Sequence, residues 1–177
     1  MNEVFIGIDP SFAGTGIVIL DREGKVIREE LISTKKDPNN LYDIETRMLK
    51  IIEKLTFITE IPKVQVVYIE EISFGSQGSG SDQLAALNYF IRIFLLQNNF
   101  LYFTVPPTTL KKYITGKGQC KKNLMLKEVY KRWGVDYEDD NLADAYSLSR
   151  LALHNYNKGI FEIIKKKKEK KKFDVVK

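Results

Sequence analysis

Three places in the chain put carboxylates where they can meet. Asp9 ends the apolar run Val4-Phe5-Ile6-Gly7-Ile8 and precedes Pro10, Ser11 and a glycine-bearing turn through Gly14 and Gly16. Glu70 ends a second apolar run, Val66-Val67-Tyr68-Ile69. Asp139, Asp140, Asn141 and Asp144 open a late helical pattern. In it Asp140 and Asp144, at i and i+4, share a face, and Asn141 and Asp144, at i and i+3, share one nearly as well. Parallel neighbouring strands ending at the same sheet edge would bring Asp9 and Glu70 together. A hard cation such as Mg²⁺ prefers oxygen ligands and keeps several waters. Two such ions about 3.5–4 Å apart can activate an attacking water and stabilise the leaving oxygen of a phosphodiester. Two strand-end acids and a helix carrying acids one turn apart suit that chemistry.

Each acid also has an ordinary structural role. An Asp before Pro is commonly a turn former. Asp139 or Asp140 at a helix start is commonly a cap or a dipole partner. Glu71, next to Glu70, falls on the opposite strand face and is expected in solvent. Asp144 is harder to dismiss, because it lies inside the helix between Ala143 and Ala145, where no capping role exists.

A basic segment follows the same logic. Residues 108–122 hold five lysines (Lys111, Lys112, Lys117, Lys121 and Lys122) with Gly116, Gly118 and several hydroxyls. Lysine binds phosphate as a point charge, and glycine permits close backbone approach. A solvated surface loop is the plainer alternative. His154 is the only histidine and is read as structural or surface, which weakens any histidine-dependent hydrolytic triad. There is no Walker A motif and no zinc-finger spacing. Trp133 is expected to fill the core.

The elements that must position these residues are legible from periodicity. Residues 3–9, 14–21 and 25–34 read as an antiparallel meander, and residues 64–70 as a central strand covered on both faces. Leu41, Ile44, Met48, Ile51, Ile52 and Leu55 repeat at helical spacing after Pro38. Asp82 is expected to cap a helix through about Leu96 that is apolar nearly all round, so a second helix or a second subunit is expected to cover it. Phe100 to Val105 reads as another strand. Residues 108–114 and 121–133 read as short helices, and residues 139–156 as the last one. Strands first, then alternating helices and strands, argue an α/β fold with a mixed sheet and helices on both faces.

Composition sets outer bounds. The chain has 177 residues, 44% of them hydrophobic, which suits one compact domain. Residues 1–160 are expected to form it and 161–177 a lysine-rich tail. Residues 165–172 hold seven lysines, a run that reads as solvated and would attract a polyanion. Cys120 is the only cysteine, so no internal disulfide can form, and a reducing, cytoplasmic setting is expected. No secretory start and no membrane-length apolar run are visible.

Taken together, these residues resemble the RuvC family of Holliday-junction resolvases, which have the RNase H-like fold. Ile6-Gly7-Ile8-Asp9-Pro10-Ser11 with Gly14-Thr15-Gly16 is similar to the family's first motif, and Tyr68-Ile69-Glu70-Glu71-Ile72-Ser73-Phe74 to its second. Leu110-Lys111 through Gly116-Lys117-Gly118 to Lys121-Lys122 is similar to its basic segment, and Ala143-Asp144-Ala145 to its last motif. The resemblance runs from about residue 3 to residue 155 with the motifs in order. It implies a three-strand antiparallel meander extended by parallel strands, and Asp9, Glu70 and Asp144 as metal ligands. It further implies two Mg²⁺ ions per site, with Mn²⁺ able to substitute, and Lys111 and Lys122 on the phosphate. Lys112, Lys117, Lys121 and Phe74 would belong to the DNA-binding surface. The family commonly has an acid or histidine three residues before the last Asp; here that position is Asn141, and Asp140 precedes it. The fourth ligand is therefore Asp140 or Asn141. The aromatic wedge near the second motif falls at Ser73 by strict register, with Phe74 adjacent. The compact, divergent chain resembles viral or phage members, which would place it in a host cytoplasm.

The resemblance implies a structure-selective endonuclease that cuts four-way junctions and other branched DNA, leaving 5′-phosphate and 3′-hydroxyl ends. A homodimer is expected, because a four-way junction has two-fold symmetry and needs paired cuts. Two rivals stand beside this reading. One is a non-catalytic nucleic-acid-binding module on the same scaffold. The other is an actin-like or sugar-kinase ATPase, against which the short single domain argues.

Overall fold

The computed structural model describes residues 3–72 and 80–161, with the side chain of Lys122 left out. Phe74 and the lysine run of residues 165–172 lie outside the described residues. So does the expected tail, apart from Phe161.

Three strands, β1 (Val4–Asp9), β2 (Thr15–Asp21) and β3 (Val26–Ile32), form an antiparallel meander. Helix α1 (Asp43–Leu55) and a 3₁₀ turn (Thr56–Glu60) lead into β4 (Val64–Glu70), which pairs parallel to β1. Helix α2 (Ser81–Gln97) then leads into β5 (Tyr102–Val105), parallel to β4. The sheet order is β3-β2-β1-β4-β5, a mixed five-stranded sheet. Three helices follow: α3 (Pro107–Thr115), α4 (Lys122–Trp133) and α5 (Asp140–Asn157). The meander and the parallel strands implied by the resemblance are all present.

Side-chain alternation splits the interior into two cores. Ile6, Ile8, Ile17, Ile19, Val67 and Ile69 face one side, where Ile51 and Leu55 of α1 and Leu87 and Ile91 of α2 cover them. Phe5, Val18, Leu20, Val66 and Tyr68 face the other, under Leu110 of α3, Val129 of α4 and Ala145, Leu148 and Ala152 of α5. β1 is therefore buried on both faces and reads as an unbroken apolar run.

Helix α5 lies unusually close to the sheet. A Cβ placed on Gly7 would sit 2.0 Å from the Ala145 carbonyl oxygen, and one on Gly16 would sit 2.3 Å from the Asn141 carbonyl oxygen. Ala145 and Ser149 are small where the helix passes Gly7. Ser147 and Ser149 are fully buried. Their hydroxyls donate back to the Ala143 and Tyr146 carbonyls of the same helix, both at 2.8 Å. Each serine is thus satisfied without a partner on the sheet.

Some sequence expectations need correction. Leu41 lies before α1 and is exposed, so it is not part of the helix's buried stripe. Asp82 is not the cap of α2; Gly80 holds the cap position without a side-chain bond, and Asp82 sits in the first turn, where it faces the positive end of the helix dipole. Helix α2 buries Leu87, Asn88, Ile91, Phe94 and Leu95 but leaves Tyr89, Ile93 and Leu96 exposed. The covering helix is α1, and it covers one side only.

The close approach of α5 makes a definite prediction. Gly7→Ala forces a methyl group against backbone and should lower stability by about 3 kcal/mol, at the upper end for overpacking. Gly118→Ala, whose added methyl meets nothing nearer than 3.6 Å, should change it little. Denaturant midpoints of the two variants check this; equal midpoints would refute the packing argument.

Candidate active site

Asp9, Glu70 and Asp144 converge. One carboxylate oxygen from each lies within 4.8 Å of the other two. Asp9 is buried and the other two are half-buried. The sheet brings the first pair together, because the parallel register ends at Ile8 opposite Ile69 and the next residues are Asp9 and Glu70. Helix α5 brings the third, since its first turns cross the strands at Gly16 and Gly7.

The N-terminus of α5 separates the clustered acids by role. Asp139 is the cap: its Oδ1 accepts from the Asn141 and Leu142 amides at 2.9 and 3.1 Å. Asp140 begins the helix and, with Asn141, lines the same cavity as the three converging acids. Neither belongs to the three-residue cluster itself. Asp140 lies one turn before Asp144, as its spacing implies.

The cavity is open, with a volume of about 420 Å³, and Lys111 of α3 lines it. Leu84, Met125 and Leu126 supply an apolar wall. Lys112, Lys117 and Lys121 are exposed and do not line the cavity. Lys122 is the first residue of α4. Glu71 is half-buried and lines a shallow recess beside Glu70, so it does not simply meet solvent as its strand parity suggested. Its amide donates to the Val105 carbonyl at 2.8 Å and extends the β4–β5 ladder by one residue.

Two residues that hold backbone near the site escaped the sequence reading. Arg47 of α1 donates to the Thr34 hydroxyl at 2.9 Å and to the Phe12 carbonyl at 3.3 Å. Its guanidinium lies 4.7 Å from the centre of the Phe12 ring, and it pairs with Asp43 at 3.6 Å. The loop that follows Asp9 is thereby fastened to α1. Asn88 of α2, 2% exposed, donates from Nδ2 to the Glu70 carbonyl at 2.7 Å. An amide on the apolar face of α2 was the available signal.

The remaining candidates behave as structural residues. His154 lies tilted against the Tyr113 ring at 5.3 Å, and burial, aided by Lys158, lowers its pKa. Trp133 meets Tyr146 edge-on at 5.7 Å and carries the Arg150 guanidinium at 5.2 Å. Cys120 is partly buried and packs against the core cluster that includes Leu110 and Ala145.

The donor set fits a hard divalent cation: three carboxylates, oxygen only, beside an open cavity with room for water. Three such charges at this separation repel one another, which a bound cation relieves. Saturating Mg²⁺ or Mn²⁺ should therefore raise the melting temperature, with about 2.7 kcal/mol of stabilisation at a hundredfold excess over Kd. Asp144→Asn should remove the metal-induced shift. A shift that survives in Asp144→Asn would refute the site.

Comparison with known proteins agrees with this geometry. A family model described as crossover junction endodeoxyribonuclease RuvC matches residues 5–149. The crossover junction endodeoxyribonuclease RuvC of Brachyspira hyodysenteriae is 27% identical over 165 residues, covering 92% of this chain and 99% of the relative. The Thermus thermophilus RuvC structure superposes with a TM-score of 0.72 at 19% identity, covering 88% of this chain and 96% of that one. The same protein in complex with a Holliday junction substrate superposes with a TM-score of 0.68 at 18% identity, covering 83% of this chain and 90% of that one. The fold is thus the RNase H-like fold of those structures, and this chain belongs to the RuvC family of crossover junction endodeoxyribonucleases.

Proposed function

We propose that this protein is a divalent-metal-dependent endonuclease that cuts four-way DNA junctions by hydrolysing phosphodiesters. The observation that carries this is the convergence of Asp9, Glu70 and Asp144 within 4.8 Å, in a chain of the RuvC family. Mg²⁺ is the proposed ion, two per site, with Mn²⁺ as a substitute. When bound, the ions would activate the attacking water and offset charge on the leaving oxygen.

The protein's own groups divide the remaining work. Asp9, Glu70 and Asp144 hold the ions. Asp140 is the proposed fourth ligand rather than Asn141, because a carboxylate attracts a hard cation better than an amide; both line the cavity. Lys111 places an ammonium at the cavity wall, where the scissile phosphate would lie, and Lys122 is proposed to act beside it. Exposed Lys112, Lys117 and Lys121 are proposed to meet the backbone of the junction arms, supplying salt-dependent affinity. Phe74, outside the described residues, is proposed to contact DNA on sequence grounds alone. An ATPase with a cleft between two lobes is disfavoured, since the described residues form one sheet with one core on each face.

Dimerisation is proposed through α2, whose exposed Tyr89, Ile93 and Leu96 form a stripe at helical spacing. Leu87 is fully buried against the sheet, so the informative substitution is on the outer face. The protein should sediment as a dimer at micromolar concentration and Ile93→Glu as a monomer that nicks rather than resolves a junction. A parent protein that sediments as a monomer would refute the interface.

The test of function is a nicking assay on a four-way junction with and without Mg²⁺. Asp9→Asn, Glu70→Gln and Asp144→Asn should reduce cleavage to background yet bind the junction. Lys111→Ala should slow single-turnover cleavage by about 100-fold or more, the scale for losing one charge-stabilising group. Asp140→Ala should cost more activity than Asn141→Ala. Metal-independent cleavage, or full activity in Asp9→Asn, would overturn the function; the reverse order for Asp140 and Asn141 would overturn only the fourth ligand.

A further inference from the structure

The end of strand β4 lacks a hydrogen bond that the sheet would normally supply. The Val67 amide donates to the Leu101 carbonyl and the Glu71 amide to the Val105 carbonyl, both toward β5. The even-numbered residues Tyr68 and Glu70 therefore face β1. In the parallel register that pairs Gly7 with Tyr68 and Ile8 with Ile69, the next rung would run from the nitrogen of residue 10 to the Glu70 carbonyl. Residue 10 is Pro10, which has no N–H to donate. The β1–β4 pairing accordingly stops at Ile8 and Ile69, one residue short of the two acids.

Asn88 supplies the substitute. Its Nδ2 donates to the Glu70 carbonyl at 2.7 Å, from the buried face of α2, where it is the one polar residue among Leu87, Ile91, Phe94 and Leu95. A buried amide in such a face is costly unless bonded, so this bond also fixes which way the side chain points. We propose that Asn88 is a positioning residue for the metal site. It completes the rung that Pro10 cannot, and so holds the peptide of Glu70 and its carboxylate in register with Asp9 and Asp144. Partners of metal-ligating residues commonly change affinity by about 10- to 100-fold when removed. This inference rests on the proposed metal site.

The experiment is calorimetric titration of the folded, DNA-free protein with Mn²⁺. Asn88→Leu should weaken binding at least about 10-fold. Pro10→Ala, which restores an N–H at the missing rung, should recover much of that loss in the double variant Pro10→Ala/Asn88→Leu. A merely structural role would lower the melting temperature and leave the Mn²⁺ affinity of the folded protein unchanged. Asn88→Ala, smaller and free of overpacking, serves should Asn88→Leu not fold. Wild-type affinity in the folded Asn88 variant, or no recovery in the double variant, overturns the positioning role. Glu70→Gln separates the two levels. If the parent binds no Mn²⁺, or Glu70→Gln binds it equally well, the metal site itself is wrong. If both behave as expected while the Asn88 variant matches the parent, only the positioning fails.

Discussion

The site depends on how near helix α5 can come to the sheet. Asp144 is a helix residue and Asp9 a strand residue, so their carboxylates meet only if the two backbones are almost in contact. Gly7 and Gly16 are the strand positions that allow it, because any side chain there would occupy the space of a helix carbonyl. Ala145, Leu148 and Ser149 meet Gly7 from the helix side, and Asn141 and Leu142 meet Gly16. Asp139 then fixes where the helix starts by holding the Asn141 and Leu142 amides. A start shifted by one residue would turn Asp144 by roughly 100° away from the strand ends.

Electrostatics follows from that packing. Three carboxylates within 4.8 Å repel one another when ionised, and rigid elements surround them. Buried β1, the fastened Phe12 loop and the capped helix end are what resist the repulsion. Such stored cost is usual where a site is built for a ligand rather than for stability. Lys111 is the near cation at the cavity wall, whereas Lys112, Lys117 and Lys121 stand off from it. The five lysines of one segment are thus not equivalent, although their spacing in sequence gives no hint of the difference.

Local patterning made most of the architecture readable. Strand-end acids follow from apolar runs that stop at Asp9 and Glu70, and Asp144 stands out because nothing local explains an acid in the middle of a helix. What stayed illegible depends on partners distant in sequence. Arg47 reads as an ordinary helix arginine until the Phe12 carbonyl and Thr34 are seen beside it. Asn88 reads as a blemish in an apolar helix until the Glu70 carbonyl appears at 2.7 Å. Leu41 fitted the helical period of α1, but periodicity cannot say where a helix begins. Asp82 and Asp139 are both acids at helix starts. Only Asp139 caps, because the backbone of Asp139 is extended there, whereas Gly80 takes the cap position before α2.

Helix α2 has two opposed faces with different work. Asn88 points inward to Glu70, and the next residue, Tyr89, is exposed on the stripe assigned to the second subunit. The cavity wall at Leu84 belongs to the same helix. Pro10 gives this arrangement its consequence. Had β1 donated the last rung itself, Glu70 would be anchored by the sheet alone, and the seating of α2 would matter little to the acids. With Pro10 in place, the last rung at Glu70 comes from the helix proposed to carry the interface. In the proposed dimer, one helix would therefore both meet the second subunit and hold the Glu70 carbonyl.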